Sequence, residues 1–472
     1  MKKIQSTADV SNSCGITGIR NRPRSLGFPS DAPPNQAWVY GLVIPFQISP
    51  TEAGIFVNIG RKDLLPSGKG DLDAGNDLVI FDDIAKIGTT PPIPLNRGGE
   101  TKDPRTGERV LMSSYPMGVG FVPHGAKRPD GSPHPYAGTG FGLLIEIGYP
   151  LERPGGPHEG PGMPPFDPKT GKLLGDPKTQ HKQRSNIFKR WTLYQYRYDG
   201  KKFQITKSEE LDINQFVPGH ILLSKSFTSA IPDGDDLLLP ITTVAEVPSK
   251  AYLKRAVTGI ARWRYDNKAG WKICEYHPVP GALSFGEPSV VRDWDGLLLF
   301  SARSFVEPFI ESIVVWRSED QGVTWEEVIH VKSARFGPVT INRAVDGSLY
   351  IVANPINKPA SSPNALGKRD YVREALQLWM LAPDRRSLLT PVVVRDGHVE
   401  WGLTSRGFIR SLDHPSGRTV RLADGQWHHL LGYRVLGPWE VLVGTDLAAT
   451  PIPGTYLDEI FSRGEPAPEW NF

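Results

Sequence analysis

Four Asp-Gly pairs, Asp233-Gly234, Asp295-Gly296, Asp346-Gly347 and Asp424-Gly425, each stand just before a hydrophobic run of similar appearance, as in AVDGSLYIVAN and DWDGLLLFSAR. Asp-Gly is a favoured pair for a tight hairpin, because both residues tolerate the left-handed backbone that such turns need. The pairs are roughly 50 to 80 residues apart, about the length of one four-stranded sheet with its loops. Repetition on that scale predicts an all-β chain folded as a propeller of six or seven blades. Two β-sandwich domains would lack the repeat.

The rest of the chain fits this reading. Its 472 residues allow several domains or one large closed β architecture. The 49 glycines and 44 prolines make up about a fifth of the residues, which favours turns over long helices. Short β-rich runs recur at Val39 to Gln47, Trp191 to Tyr198, Leu237 to Val244, Leu297 to Ser301, Ser312 to Trp316, Leu349 to Ala353 and Trp439 to Val443. Residues 1–36 have no periodic apolar pattern and read as a tail laid over the first structural unit, leaving 37–472 for the propeller. A Pro/Gly-rich stretch at about 150–185 reads as a long loop inserted in a blade.

Charge and cysteine content exclude several classes. The 54 basic and 51 acidic residues nearly cancel, so no nucleic-acid or anionic-membrane surface is expected. Cys14 and Cys274 are too few for a disulfide framework or a multi-cysteine zinc site. No run of about 18 apolar residues is present, so no membrane span is expected. Met1-Lys2-Lys3 looks like the basic start of a signal peptide, but Ile4 to Gly15 is too polar for its apolar segment. The protein is therefore expected to stay inside the cell, or the sequence lacks its export signal.

Ser318-Glu319-Asp320-Gln321-Gly322-Val323-Thr324-Trp325 follows a predicted strand. It resembles the Asp box, Ser-x-Asp-x-Gly-x-Thr-Trp, of sialidase-type propellers, with all five fixed positions matched. The box is a hairpin device: Ser and Asp bond turn amides, Gly takes a positive φ, and Trp packs under the turn. Degenerate echoes occur at Tyr265-Asp266 to Trp271 and at Tyr198-Asp199-Gly200 to Phe203. A second resemblance lies nearer to chemistry. Glu287-Pro288-Ser289, Asp295-Gly296 and Ser301-Ala302-Arg303 are similar to the sialidase segment that carries a glutamate at the start of one strand and a carboxylate-gripping arginine at the end of the next. Asn354-Pro355 followed by Arg373 is similar to the segment supplying another such arginine.

The resemblance covers about residues 280 to 430 and implies a catalytic role for Glu287 and a substrate carboxylate held by Arg303 and Arg373. Arginine suits that task because its planar fork meets a carboxylate bidentately and stays charged. The resemblance also implies an acid/base aspartate early in the chain, for which Asp63, Asp71 and Asp73 are available and Asp71 is taken as the candidate. It implies an extracellular or periplasmic location.

Two positions depart from the family. Val43-Ile44-Pro45 stands where an arginine would head Arg-Ile-Pro, and Leu412-Asp413-His414-Pro415 stands where a nucleophilic tyrosine is expected. His414 offers a base or acid in its place. His124, His134 and Tyr136 form another candidate set, because dense Gly and Pro around them fix backbone direction. No histidine pair has convincing metal spacing. Asp71, Asp73 and Asp77 around Gly75 loosely resemble a calcium loop but lack its closing glutamate, so no cofactor is expected.

The leading expectation is a sialidase-like glycoside hydrolase acting on an acidic oligo- or polysaccharide. The alternative is a propeller polysaccharide lyase, in which arginine neutralises a uronate while His124, His134 or His414 and Tyr136 act as base and acid. A non-catalytic glycan-binding propeller is the third reading, since fold alone does not dictate function.

Overall fold

A computed structural model describes residues 23–27, 38–61, 73–97, 100–104, 106–150, 188–224, 226–245, 256–305, 310–334, 337–356, 373–402, 410–442 and 450–472. The Asp-Gly pairs close hairpins as their chemistry dictates: Gly234, Gly296, Gly347 and Gly425 all take positive φ. Asp346 and Asp424 each accept a hydrogen bond from the amide two residues on, at 2.9 Å. The Ser318–Trp325 hairpin is tied in the same way. Ser318 Oγ accepts from the Gly322 amide at 2.8 Å and Asp320 from the Thr324 amide at 2.8 Å, while Trp325 Nε1 donates to the Gly322 carbonyl at 2.9 Å. The two echoes are Asx turns, with Asp266 capping Lys268 and Ala269, and Asp199 capping Lys201 and Lys202.

These hairpins join strands into six antiparallel sheets, so the fold is a six-bladed β-propeller. Blade 1 runs Trp38–Ser49, Glu52–Arg61, Asp73–Phe81 and Ile93–Arg97; blade 2 runs Arg109–Val122, Thr139–Pro150, Phe188–Tyr198 and Phe203–Glu210, with Glu100–Lys102 paired to the first; blade 3 runs His220–Ser224 with Ile231–Asp233, then Asp236–Ala245, Val257–Asp266 and Gly270–Leu283; blade 4 runs Phe285–Arg292, Leu298–Ser304, Ser312–Ser318 and Glu326–Lys332. Blade 6 consists of Ser411–Arg421, Trp427–Leu442 and Thr450–Glu459, with Arg24–Ser25 as its outermost strand. Part of the expected tail therefore completes the last blade: Ser25 pairs with Tyr456, and Leu26 packs into the core between blades 6 and 1. Inner strands of neighbouring blades touch around the ring, and that of blade 6 returns to that of blade 1. Among the described residues the helical elements are the short turns Ile84–Lys86 and Gly397–Trp401.

A lone four-stranded sheet has two faces to bury, and stacking around a ring buries both. Six hydrophobic clusters result, each between two neighbouring blades. Trp316 and Phe300 of blade 4 meet Ile231 and Ile260 of blade 3 in one of them.

The axis is filled. Blade 3's inner strand is interrupted between His220–Ser224 and Ile231–Asp233, and residues 226–230 cross the centre. Ser226 N–H donates to Met117 O at 2.7 Å, Phe227 N–H to Pro288 O at 2.9 Å, and Ser416 Oγ–H to Phe227 O at 2.6 Å, joining blades 2, 4 and 6. Below this plug, Arg418 donates to Ala230 O at 3.2 Å and pairs with Glu469 at 2.5 Å. The C-terminal residues thus strap the base, with Ala467 N–H on Val345 O at 2.8 Å and Lys127 N–H on Asn471 O at 2.9 Å.

Candidate functional site

The inner strand of blade 4 opens with Phe285-Gly286-Glu287, and its ladder to the next strand slips between Gly286 and Ser289. Glu287 sits in that bulge at φ 53. Blade 6 repeats the device: its ladder slips between Asp413 and Ser416, and His414 sits there at φ 54. Both residues have a Cβ and both precede a proline, a position normally pushed to extended backbone. Each such conformation costs on the order of 1–3 kcal/mol and persists only where the surroundings fix it. Phe227 helps to fix both, bonding Pro288 beside Glu287 and Ser416 beyond His414, with its ring 5.1 Å from the imidazole.

The two bulges aim their side chains at one mouth of the propeller. Arg303 Nη1 donates to Glu287 Oε2 at 2.8 Å. Glu287 Oε1 lies 3.9 Å from His414 Nε2, while His414 Nδ1 is 2.8 Å from Asp413 Oδ1. Arg373 Nη1 donates to Asp413 Oδ2 at 2.9 Å. Arg434, on the strand paired with that of Asp413, donates Nε to Oδ1 at 2.8 Å and Nη2 to Oδ2 at 3.0 Å. Asn354 positions Arg373 from below: its amide donates to Ala375 O and Leu412 O, both at 2.8 Å, where Leu412 N–H also donates to Arg373 O at 2.7 Å.

Protonation follows from this packing. Burial pushes the His414 imidazole down to about 4, outweighing Asp413, with Arg434 acting in the same direction as burial. It is therefore neutral near pH 7. Burial would raise Asp413, but Arg434 chiefly holds it well below the usual carboxylate range. Burial likewise opposes ionisation of Glu287, and Arg303 with Arg373 nonetheless leaves its carboxyl lowered. Among the described residues, a neutral base then stands between two carboxylates and three guanidiniums.

The sequence candidates divide. Glu287, Arg303, Arg373 and His414 meet at this mouth. His124, His134 and Tyr136 do not: they occupy the base, in the turn between the strands Arg109–Val122 and Thr139–Pro150. His134 Nε2 is 3.8 Å from Asp235, in a turn whose Asp233 pairs at 2.8 Å with Arg292, at the far end of Glu287's own strand. His134 is buried against Trp470, its Nδ1 accepts from the Tyr136 amide at 3.3 Å, and Tyr136 stacks on Tyr265 at 4.6 Å. The Gly and Pro that frame them build a packed turn.

Asp71 and the loop at 151–187 lie outside the described residues. Asp77 is buried and accepts from Tyr40 Oη at 3.0 Å, so it faces the blade interior and not a calcium loop. Among the described residues no group of three or more His, Cys, Asp or Glu side chains is gathered for a metal, and no helix is long and apolar enough to cross a membrane. Val43 and Ile44 are core residues between blades, so no arginine reaches the mouth from there. Arg434 was not legible as a member of this cluster until strand register was known.

No family model matches the chain, and no curated protein matches it in sequence. Similar solved structures include a protein of unknown function from Dyadobacter fermentans, 15% identical, covering 93% of this chain and 98% of that one at a TM-score of 0.47. The NanB sialidase from Streptococcus pneumoniae is 13% identical over 92% of this chain and 70% of its own, at 0.46. An α-L-arabinanase from Penicillium chrysogenum is 8% identical over 94% and 98%, at 0.43. At these values the likenesses assign no activity.

Proposed function

We propose that this chain cleaves glycans at an acidic sugar by hydrolysis, with the sugar carboxylate held at Arg303 and Arg373. The observation that carries the reading is the convergence of Glu287 and Asp413–His414, both at strained bulges, on the same arginine-rich mouth. The arginines need not arrive unpaired, because a guanidinium has five donors and can share them between a protein and a substrate anion.

In the hydrolytic step a water lies between His414 Nε2 and Glu287 Oε1, whose 3.9 Å separation is too long for a direct hydrogen bond and suits a shared hydroxyl. His414 takes the water proton, the oxygen attacks the anomeric carbon, and the glycosidic bond breaks with its electron pair on the leaving oxygen. That oxygen needs a proton, which this reading draws from an early aspartate such as Asp71. Asp413 orients the imidazole and stabilises the imidazolium that forms.

Elimination is the second reading, favoured by one observation: the base beside the arginines is an imidazole, able to remove a carbon-bound proton next to a neutralised uronate. The test is incubation with sialosides and with uronate polysaccharides, following reducing ends and the ultraviolet absorbance of a new carbon–carbon double bond. Hydrolysis gives reducing ends without absorbance, whereas both signals together would replace it with elimination. Neither signal across the panel overturns the reading and leaves a binding propeller, and full activity in Glu287→Gln overturns the role given to Glu287.

A further inference from the structure

We infer that Ser289 and Ser416 are positioning residues, a matched pair of latches that ties the two bulges to the same anchors and so sets Glu287 against His414 across the mouth. The sequence repeats itself here, as Glu287-Pro288-Ser289 in blade 4 and His414-Pro415-Ser416 in blade 6. Proline has no N–H, so the first amide donor past each left-handed residue belongs to the serine. Both ladders resume at that serine, Ser289 opposite Ser301 and Ser416 opposite Gly432. Both serines are buried.

The hydroxyls reach outside their own blades. Ser289 Oγ accepts from Ile341 N–H at 2.8 Å, in blade 5's inner strand Thr340–Arg343, and Ser416 Oγ–H donates to Phe227 O at 2.6 Å, in the axial plug. The next amide of each strand meets the other anchor: Val290 N–H donates to Thr228 Oγ1 at 3.4 Å, and Gly417 N–H to Asn342 Oδ1 at 2.9 Å. Both bulges therefore rest on the same two adjacent pairs, Phe227-Thr228 and Ile341-Asn342. Blade 5 supplies the contrast. Gly337-Pro338-Val339 leads into its inner strand with no hydroxyl after the proline, and Gly337 takes no left-handed φ. Residues with a Cβ hold φ 53 and 54 only where their surroundings fix them. A bulge released to regular extended backbone shifts the strand by one residue, and such a slip turns a side chain to the opposite face.

The catalytic half of this inference rests on the function proposed above; the geometric half does not. The experiment compares wild type, Ser289→Ala and Ser416→Ala in steady-state kinetics and in a pH titration of His414, followed by NMR of ¹⁵N-histidine-labelled protein with His414→Gln assigning the signal and thermal unfolding alongside. The charged groups facing that imidazole are Asp413, Arg434 and Glu287; Arg373 and Arg303 act on it through Asp413 and Glu287. Wild type should titrate well below 6.5. Each variant should lose kcat on the order of 10²-fold, the cost of a misplacement of about 1 Å, with KM changed less than about threefold. Ser416→Ala alone should bring the His414 titration up toward 6.5, as the ring leaves its enclosure.

Unchanged kcat in either folded variant overturns the proposal, and so does an unmoved His414 titration in Ser416→Ala. Equal movement of that titration in both variants also overturns it, because general loosening would then replace two separate latches. A crystal structure of the wild type with negative φ at Glu287 or His414 overturns it even if neither variant folds. If no form cleaves any glycan, the proposed function fails, while the His414 titration and the φ values of residues 287 and 414 in crystals of the variants still decide whether the hydroxyls hold the bulges.

Discussion

The two ends of the inner strands use the same residue types for different ends. At the base, left-handed backbone falls mostly on glycines, at Gly234, Gly296, Gly322, Gly347 and Gly425, and aspartates cap turn amides. Where Gln321 and Arg385 take positive φ at the base, their side chains are tied, to Arg292 and to Asp293 with Asp295 respectively. At the mouth the same backbone region is occupied by Glu287 and His414, although glycine would hold a bulge at lower cost. A turn needs only the conformation; under the proposed function the mouth also needs the side chain.

The largest expected effect on this contrast comes from exchanging one histidine at each end. His414→Gln should lower turnover on the order of 10²–10⁴-fold without loss of folding, by removing the base. His134→Gln should leave turnover within about twofold, since His134 sits against Asp235 and Trp470 at the base. Equal losses in steady-state assays would abolish the distinction between the ends. Next in size, Asp413→Asn removes the counter-charge of Arg373 and Arg434, and breaking a buried pair costs about 3–5 kcal/mol. Denaturant unfolding should show a smaller loss for Asp320→Asn, because that carboxylate is solvated at the base.

His414 at the mouth and His428 at the base should also differ in how pH affects stability. His414 is pushed down to about 4 and fully buried His429 to about 3, both chiefly by burial, from an ordinary 6.5. Between about 4 and 6.5 the unfolded chain binds protons that the folded one does not, so their contribution weakens as pH falls through that window. His428 has the opposite sign: bonds to Glu459 at 2.7 Å and Asp424 at 3.0 Å at the base raise it. Its contribution is complete below 6.5 and is lost as pH rises through its folded value. Thermal melts should therefore show a shallower acid slope in His414→Gln. His428→Gln should lose stability chiefly at low pH, and matching slopes in the two variants would refute the assignment.

How much of this could be read from the sequence follows from the range of each signal. Turn chemistry is local, so Asp-Gly and the Ser318–Trp325 motif announced blades, and Glu287, Arg303, Arg373 and His414 could be named from short segments. Blade number was harder, because Arg24–Ser25 joins a sheet more than 400 residues away. Arg434 depended on register: folding about Asp424-Gly425 pairs Val420 with His428, and only the bulge after Asp413 brings Arg434 opposite it. The same local signal at His124 and His134 marks a packed turn at the base, away from the mouth.

The smallest expected effects come from a methyl group at each end, and they should fall on different observables. Gly296 takes φ 92 with nothing within 4 Å of an added Cβ, so Gly296→Ala at the base meets only backbone strain. About 1 kcal/mol of stability should be lost, with no change in KM. Gly337 at the mouth needs no left-handed backbone, but its Cβ would stand 3.1 Å from Asn354 Oδ1 and 3.2 Å from Arg373 Nε. Gly337→Ala must therefore displace the guanidinium by a few tenths of an ångström, and KM should rise several-fold while the melting temperature barely moves. A KM change in Gly296→Ala, or none in Gly337→Ala, would mean that Arg373 is not set to the tolerance that carboxylate binding requires.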